Sequence, residues 1–389
     1  MFSTRTAWTL KENRLTEALA EVRRGGAEVL DLSASNPTRL GLRYDEDAVL
    51  AAFSSARSLD YNPQPKGILE ARQAITQYYH DDHGLKGLDA ENIVLTTSTS
   101  EGYSHVFRLL CNPGDELLVP KPSYPLFEFL ADLQDVKLVP YPLLYDHGWQ
   151  LDFHSLEKVL SPRTRGVVIV HPNNPTGSYV HSQERDMLNE FCGEHDLALI
   201  VDEVFLDYAI EAGVHPSFAG NQQVLTFTLS GLSKVSALPQ MKLAWIFASG
   251  PRPDVVSAMS RLEVIADTYL SMNAPTQWAF PTLLEQRKAI QPQLRARIGK
   301  NLEELDRQLP SQPAVTRLRV EGGWNVVLRV PVVQSDEELA IALLRRSAIL
   351  VHPGHFYDFP SDGYIVLSLI VEECQFAQGV HSLLRFFHT

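Results

Sequence analysis

Short apolar runs alternate with longer amphipathic stretches along most of this 389-residue chain. Ile93–Leu95 is followed by a polar loop and then by Tyr103–Cys111, whose apolar positions recur at helical spacing. Next come Glu116–Pro120 (strand), Leu126–Leu133 (helix), Val136–Pro140 (strand), Gly166–Val170 (strand), Glu184–His195 (helix) and Leu197–Val201 (strand). Val224–Leu229 and Leu243–Ala248 are two further strands. Strands in series joined by crossovers predict an α/β domain on a mostly parallel sheet, because parallel neighbours need a connection long enough to return over the sheet. This unit spans residues 50–281. Beyond it the texture changes. Gln286–Leu309 reads as a long charged amphipathic helix, and Trp324–Val330, Glu337–Ser347, Leu350–Val351 and Tyr364–Leu369 read as a smaller α+β unit. No Ser- or Gly-rich linker intervenes, so a small domain made of residues 1–49 and 282–389 is expected to pack on the large one.

Composition narrows the classes. Hydrophobic residues make up 44% and charged residues 21%, which excludes a disordered or collagen-like chain. The net charge of −13 argues against non-specific nucleic-acid binding and against a polybasic membrane patch. Cys111, Cys192 and Cys374 are odd in number and lie far apart, which suits reduced thiols in a cytoplasmic protein. No signal peptide is visible, and the apolar runs are too short to cross a bilayer.

Four segments place polar residues after predicted strands, where open α/β sheets bind ligands. Thr96-Thr-Ser98-Thr99-Ser100-Glu-Gly102 combines hydroxyls with the free amides of a helix start and can form an anion site, or simply cap the helix. His171-Pro-Asn-Asn174-Pro-Thr-Gly177 presents Asn174 from a rigid turn. Leu199-Ile-Val-Asp202-Glu203 ends an apolar strand in an acid. Ser230-Gly231-Leu-Ser233-Lys234 sets a lysine after small residues that let backbone approach an anion, the setting of a Schiff-base lysine. Each segment alone is equally a loop or a cap. Their order and spacing are more specific, Asp202 following Asn174 by 28 positions and Lys234 following Asp202 by 32. His80-Asp-Asp-His83 has helical histidine spacing but no third ligand, and reads as a solvated helix end; no metal is expected.

In that order the four segments resemble the class I/II aminotransferases, pyridoxal-phosphate enzymes of fold type I, over nearly the whole chain from Leu32 to Leu369. The resemblance implies a mostly parallel seven-stranded sheet between helices, a small α+β domain, and a homodimer with shared active sites. It implies that Lys234 forms the internal aldimine with pyridoxal 5′-phosphate and then shuttles the substrate proton. Asp202 is expected on the pyridinium nitrogen, Asn174 on the ring 3-oxygen and beside the substrate, and Tyr124 stacked on the ring. Thr99, Ser100, Gly231 and Ser233 are expected around the phosphate, with Tyr61 reaching the phosphate of the neighbouring subunit. An amino acid or amine and a 2-oxo acid would be the substrates of a ping-pong reaction.

Several positions depart from the family pattern. Eight residues after the lysine, where an arginine clamps the phosphate, stands Lys242, which keeps the charge without the bidentate fork. Phe205 replaces a tyrosine that bonds the 3-oxygen, and Ser35 replaces a glycine near the substrate. In Gly363-Tyr-Ile-Val366-Leu-Ser368, Val366 takes the place of the arginine that grips the substrate α-carboxylate. Either another cation such as Arg39 or Arg43 binds the carboxylate, or the substrate lacks an ordinary one. The latter keeps a lyase or decarboxylase on the same scaffold as the alternative. Trp324 and Phe356-Tyr357 either line the side-chain pocket or fill the small-domain core.

Overall fold

Strands buried along their whole length, such as Ala198–Asp202 and Thr226–Gly231, stand in the middle of a large sheet. Near-continuous apolar runs take that place because both faces are covered. The structure is a computed structural model that describes every residue except Leu126, Val214 and Thr389. The sheet runs in the order Ile93–Thr96, Ala244–Ser249, Thr226–Gly231, Ala198–Asp202, Thr164–Val170, Glu116–Lys121, Lys137–Tyr145, Trp149–Leu151. The five strands from Thr226–Gly231 to Lys137–Tyr145 are mutually parallel. Ala244–Ser249 lies antiparallel between Thr226–Gly231 and Ile93–Thr96.

The sheet has eight strands, one more than the expected seven. The extra strand, Trp149–Leu151, folds back antiparallel on Leu143–Tyr145 at the edge. Only three residues long and alternating in burial, it carries no apolar run to announce it. The other elements match their expected positions to within a few residues. The helix expected from Tyr103 starts at Thr99, because its first turn is polar: Ser98 Oγ accepts the Glu101 amide and caps it. The helix expected from Leu126 is described over Phe127–Asp132, Leu126 itself lying outside the described residues.

The second unit is a four-stranded antiparallel sheet in the order Thr316–Arg317, Asn325–Arg329, Tyr364–Ser368, His352–Pro353. Leu30–Asp31 pairs parallel with Ile349–Leu350, which ties the N-terminal segment to it. Its apolar core joins Leu15, Ala18 and Leu32 with Trp324, Leu328, Ile365 and Phe376. Phe205, Tyr208 and Ala237 of the large sheet's loops enter that same core, so the two sheets meet beside the lysine turn. The long helix Arg287–Gln308 is fixed to the end of the small sheet by Asn301, whose Nδ2 donates to the Leu369 and Val371 carbonyls at 2.9 and 2.8 Å.

Parallel pairing puts the carboxyl ends of Thr164–Val170, Ala198–Asp202 and Thr226–Gly231 along one edge, and two successive antiparallel pairings through Ala244–Ser249 bring that of Ile93–Thr96 to the same edge. The four polar segments follow those ends and therefore converge, as ligand sites of open α/β sheets do.

Candidate active site

A cavity of about 370 Å³ opens at that edge, between the two sheets. The large-sheet wall carries Thr99, Ser100, Tyr124, Asn174, Asp202, Ser233 and Lys234. The small-sheet wall carries Ser33, Ser35, Trp324, Asn325, His352, Tyr357 and Ser368. Eleven of the residues singled out from the sequence thus share one cavity, Phe205 among them.

Asp202 ends its strand buried inside the cavity wall. Tyr103 Oη donates to its Oδ2 at 3.1 Å and the Val204 amide to its Oδ1 at 3.1 Å. Burial nevertheless pushes the carboxyl up to about 6, these two donors only partly offsetting the desolvation. The neighbouring Glu203 points the other way and is absorbed by the Ser217 hydroxyl and the Phe218 amide. Strand alternation separates the two acids, leaving a single carboxylate for the cavity.

Lys234 sits in the short helix Leu232–Val235 that follows Thr226–Gly231. Tyr208 Oη donates to its carbonyl at 2.6 Å and so holds the turn. Its Nζ lies 4.6 Å from the Trp324 ring centroid and 5.3 Å from that of Phe205. Enclosure by these rings lowers the amine to about 8, against the pull of Asp202. A lysine near neutrality is available both as a nucleophile and as a base.

Gly231 does not line the cavity. A Cβ there would fall 2.8 Å from Ala244 Cβ and 3.1 Å from the Leu243 carbonyl, so glycine lets the lysine turn leave the sheet against the adjacent strand. Thr99 and Ser100 occupy the first turn of Thr99–Leu110, where backbone amides have no partner within the helix. Asn174 Oδ1 accepts Asn325 Nδ2 at 2.7 Å, a bridge from the large-sheet wall to the small one.

Four expected residues stand elsewhere. Lys242 is exposed, in a left-handed conformation after the turn Pro239–Met241. Tyr61 is 86% exposed on the surface. Arg39 and Arg43 are exposed and line no part of this chain's cavity. No arginine among the described residues lines it. Val366 is 1% exposed, packed with Val327, Tyr357 and Phe359. Of the aromatic candidates, Trp324 and Tyr357 line the cavity and Phe356 does not. Tyr103, Ser33, Asn325, His352 and Ser368 were not singled out from the sequence, since nothing in their neighbourhoods distinguishes them from helix and strand residues.

The donor set fits pyridoxal phosphate. A buried acid, an amine depressed by desolvation, and hydroxyls with first-turn amides match a protonated ring nitrogen, an aldehyde and a phosphate in turn. Fold and cavity together define a pyridoxal-phosphate-dependent transferase of fold type I. The family profile "Aminotransferase class I and II" matches residues 27–375, and the chain belongs to that family. It is 27% identical over 377 residues to glutamate-pyruvate aminotransferase AlaA of Escherichia coli K12, covering 92% of each chain. It is 26% identical to an alanine aminotransferase of Mycobacterium tuberculosis H37Rv, over 93% of this chain and 86% of that one. Among solved structures, alanine aminotransferase from Pyrococcus furiosus superposes with a TM-score of 0.89 at 21% identity over the full length of both chains. The protein is a pyridoxal-phosphate-dependent aminotransferase acting on amino acids and 2-oxo acids, and the lyase or decarboxylase alternative is not favoured. No helix among the described residues is long and apolar enough to cross a membrane.

Proposed function

We propose that this aminotransferase moves amino groups between α-amino acids and small 2-oxo acids, with alanine–pyruvate and glutamate–2-oxoglutarate as its first candidate pairs. The carrying observation is the amine of Lys234 and the carboxylate of Asp202 in one cavity. The names of the relatives suggest the pairs. Bound there, pyridoxal phosphate supplies an electron sink for the carbanion left when the substrate loses its Cα proton. Lys234 Nζ would hold the cofactor, and its amine, once free, would take and return the substrate's Cα proton. Asp202 keeps a proton on the ring nitrogen. Thr99, Ser100 and Ser233 would receive the phosphate, and Tyr124 would cover the ring. Asn174 serves the ring 3-oxygen and, with Ser35, the substrate. Phe205 supplies no hydroxyl; together with Trp324 it keeps water from the amine.

The test is a half-reaction in the absence of any oxo acid. L-Alanine or L-glutamate should bleach the cofactor's visible band, and pyruvate should restore it. A band that persists while CO₂ or ammonia is released overturns the reading.

We also infer a homodimer. Tyr61 stands exposed beside Leu59, which is 89% exposed, and a second copy would cover both and take Tyr61 to its own phosphate site. Sedimentation equilibrium should give twice the 43.6 kDa chain mass. Residues 50–281 as the cofactor domain, with 1–49 and 282–389 as the small one, is a division supported by two apolar cores drawn wholly from residues 94–266. The free thiols of Cys111, Cys192 and Cys374 favour a cytoplasmic enzyme.

A further inference from the structure

Val366 is where the family pattern has its carboxylate-binding arginine, and the small sheet shows what stands around it. Its register sets Val366 opposite both Val327 and His352, and Ser368 opposite Asn325. Directly opposed residues, and residues two apart, project from the same face of a sheet. Asn325, Val327, His352, Val366 and Ser368 therefore share the face that carries the cavity. Val366 is covered on that face by Tyr357 and Phe359. Its cross-strand neighbour His352 remains in the cavity wall. Tyr357 Oη lies 2.9 Å from His352 Nδ1. Burial holds the Tyr357 hydroxyl in its neutral form, so it can donate to Nδ1 and put the imidazole proton on Nε2. Nε2 has no hydrogen-bond partner among the described residues, and His352 lines the cavity.

Two polar atoms of this wall are buried without a partner among the described residues: Ser368 Oγ and Trp324 Nε1. Buried donors are almost always bonded, so a pair left open on one cavity wall points to a ligand acceptor. The only other cationic side chain on the cavity wall among the described residues is Lys234, which the cofactor occupies.

We propose that His352, oriented by Tyr357 and assisted by Ser368 and Trp324, receives the substrate carboxylate in place of an arginine. This rests on the aminotransferase reading of the same cavity. The substrate class is then an amino acid with a free α-carboxylate, and its binding is linked to a proton. Burial holds the His352 imidazole below its ordinary range, Asp31 on Leu30–Asp31 pulling the other way, so a bound carboxylate must draw the proton onto the ring; Val366 on the neighbouring strand and the Phe356 and Tyr357 rings of the turn Gly354–Tyr357 bring no formal charge at neutral pH. Because the imidazolium binds a carboxylate better than the neutral ring, 1/KM should be highest at low pH and fall as pH rises through the free enzyme's His352 titration. The visible band, which reports the lysine, should not follow that limb.

The experiment uses the holoenzyme. Histidine C2–H resonances are titrated with and without propionate, a carboxylate that accepts no amino group, at a concentration that inhibits the half-reaction. The resonance missing in His352→Gln should titrate about one pH unit higher with propionate. His352→Phe should raise KM for L-alanine at least about tenfold with kcat within about threefold, as loss of a charge-assisted hydrogen bond requires. His352→Gln, which keeps an N–H donor, should recover part of the KM but lose the pH limb. Tyr357→Phe should raise KM by less than His352→Phe. An unmoved His352 resonance, or a fall in kcat at constant KM, overturns the assignment and points instead to a cation from a second copy. If the wild-type enzyme bleaches with neither L-alanine nor L-glutamate, the substrate pairs fail, while the propionate titration still reads His352.

Discussion

Replacing Lys234 with alanine should abolish covalent retention of pyridoxal phosphate and slow the half-reaction at least about ten-thousandfold, since a nucleophile and a positioned base are lost together. No other base on the described cavity wall can take over at the same place. Asp202 is tied to Tyr103 and the Val204 amide, and His352 stands on the opposite wall with Tyr357. Borohydride reduction followed by mass spectrometry reads the attachment, and stopped-flow absorbance reads the rate. The variant should still fold. The Lys234 amine is depressed in the folded chain, so its stabilising contribution exists at high pH and is lost as pH falls through about 8. At pH 7 the ammonium is a burden between Phe205 and Trp324, and the cofactor-free Lys234→Ala protein should melt no lower than wild type. Residual turnover within tenfold of wild type, with the visible band intact, would sink the assignment of Lys234.

Asp202→Asn should separate stability from catalysis. The carboxyl is raised in the folded chain, so the stability linked to its neutral form is present at acid pH and lost as pH rises through about 6. At pH 7 the cofactor-free protein thus holds a buried, poorly compensated carboxylate. Asparagine removes that charge and keeps the geometry: the Val204 amide still finds a carbonyl oxygen, and the Tyr103 hydroxyl can accept where it donated. Cofactor-free Asp202→Asn should therefore melt a few degrees above wild type at pH 7, the gain vanishing near pH 4, as calorimetry at the two pH values would show. Its half-reaction should fall at least about a thousandfold, because an amide cannot hold a proton on the ring nitrogen by charge. Melting below wild type at pH 7 would mean that the carboxylate stabilises the empty site. A loss of activity under tenfold would mean that the ring nitrogen has another partner.

The same cavity explains why Phe205 is tolerated. With no hydroxyl at that position, the Phe205 ring meets Trp324 at 5.3 Å, edge to face, and both lie against Lys234. The site has exchanged a hydrogen bond for a drier surround, in which electrostatic interactions are stronger.

The catalytic wall was legible along the chain because its residues are announced locally. Asp202 ends an apolar run, Lys234 follows small residues, Asn174 is framed by prolines and Thr99 opens a helix. Each ends or follows a strand, and the strands so followed all run in one direction, which brings such positions to one edge. The opposite wall has no such signal. Whether Val366 is opposed by His352, or Ser368 by Asn325, depends on antiparallel register between segments joined by loops, and a one-residue slip would turn every one of these side chains to the other face. Tyr103 looks like any aromatic of an amphipathic helix until that helix is docked against Asp202. Gly231 looks like a phosphate contact until Ala244 is seen 2.8 Å from where its Cβ would be. The sequence by itself determined the α/β class, the succession of elements and most of the strand-end residues that line the cavity, because these follow from period, punctuation and strand ends. Only the tertiary structure decided the substrate-facing wall and the surroundings of each titrating group, because these are contacts between residues distant in sequence, and burial is a property of the packed chain.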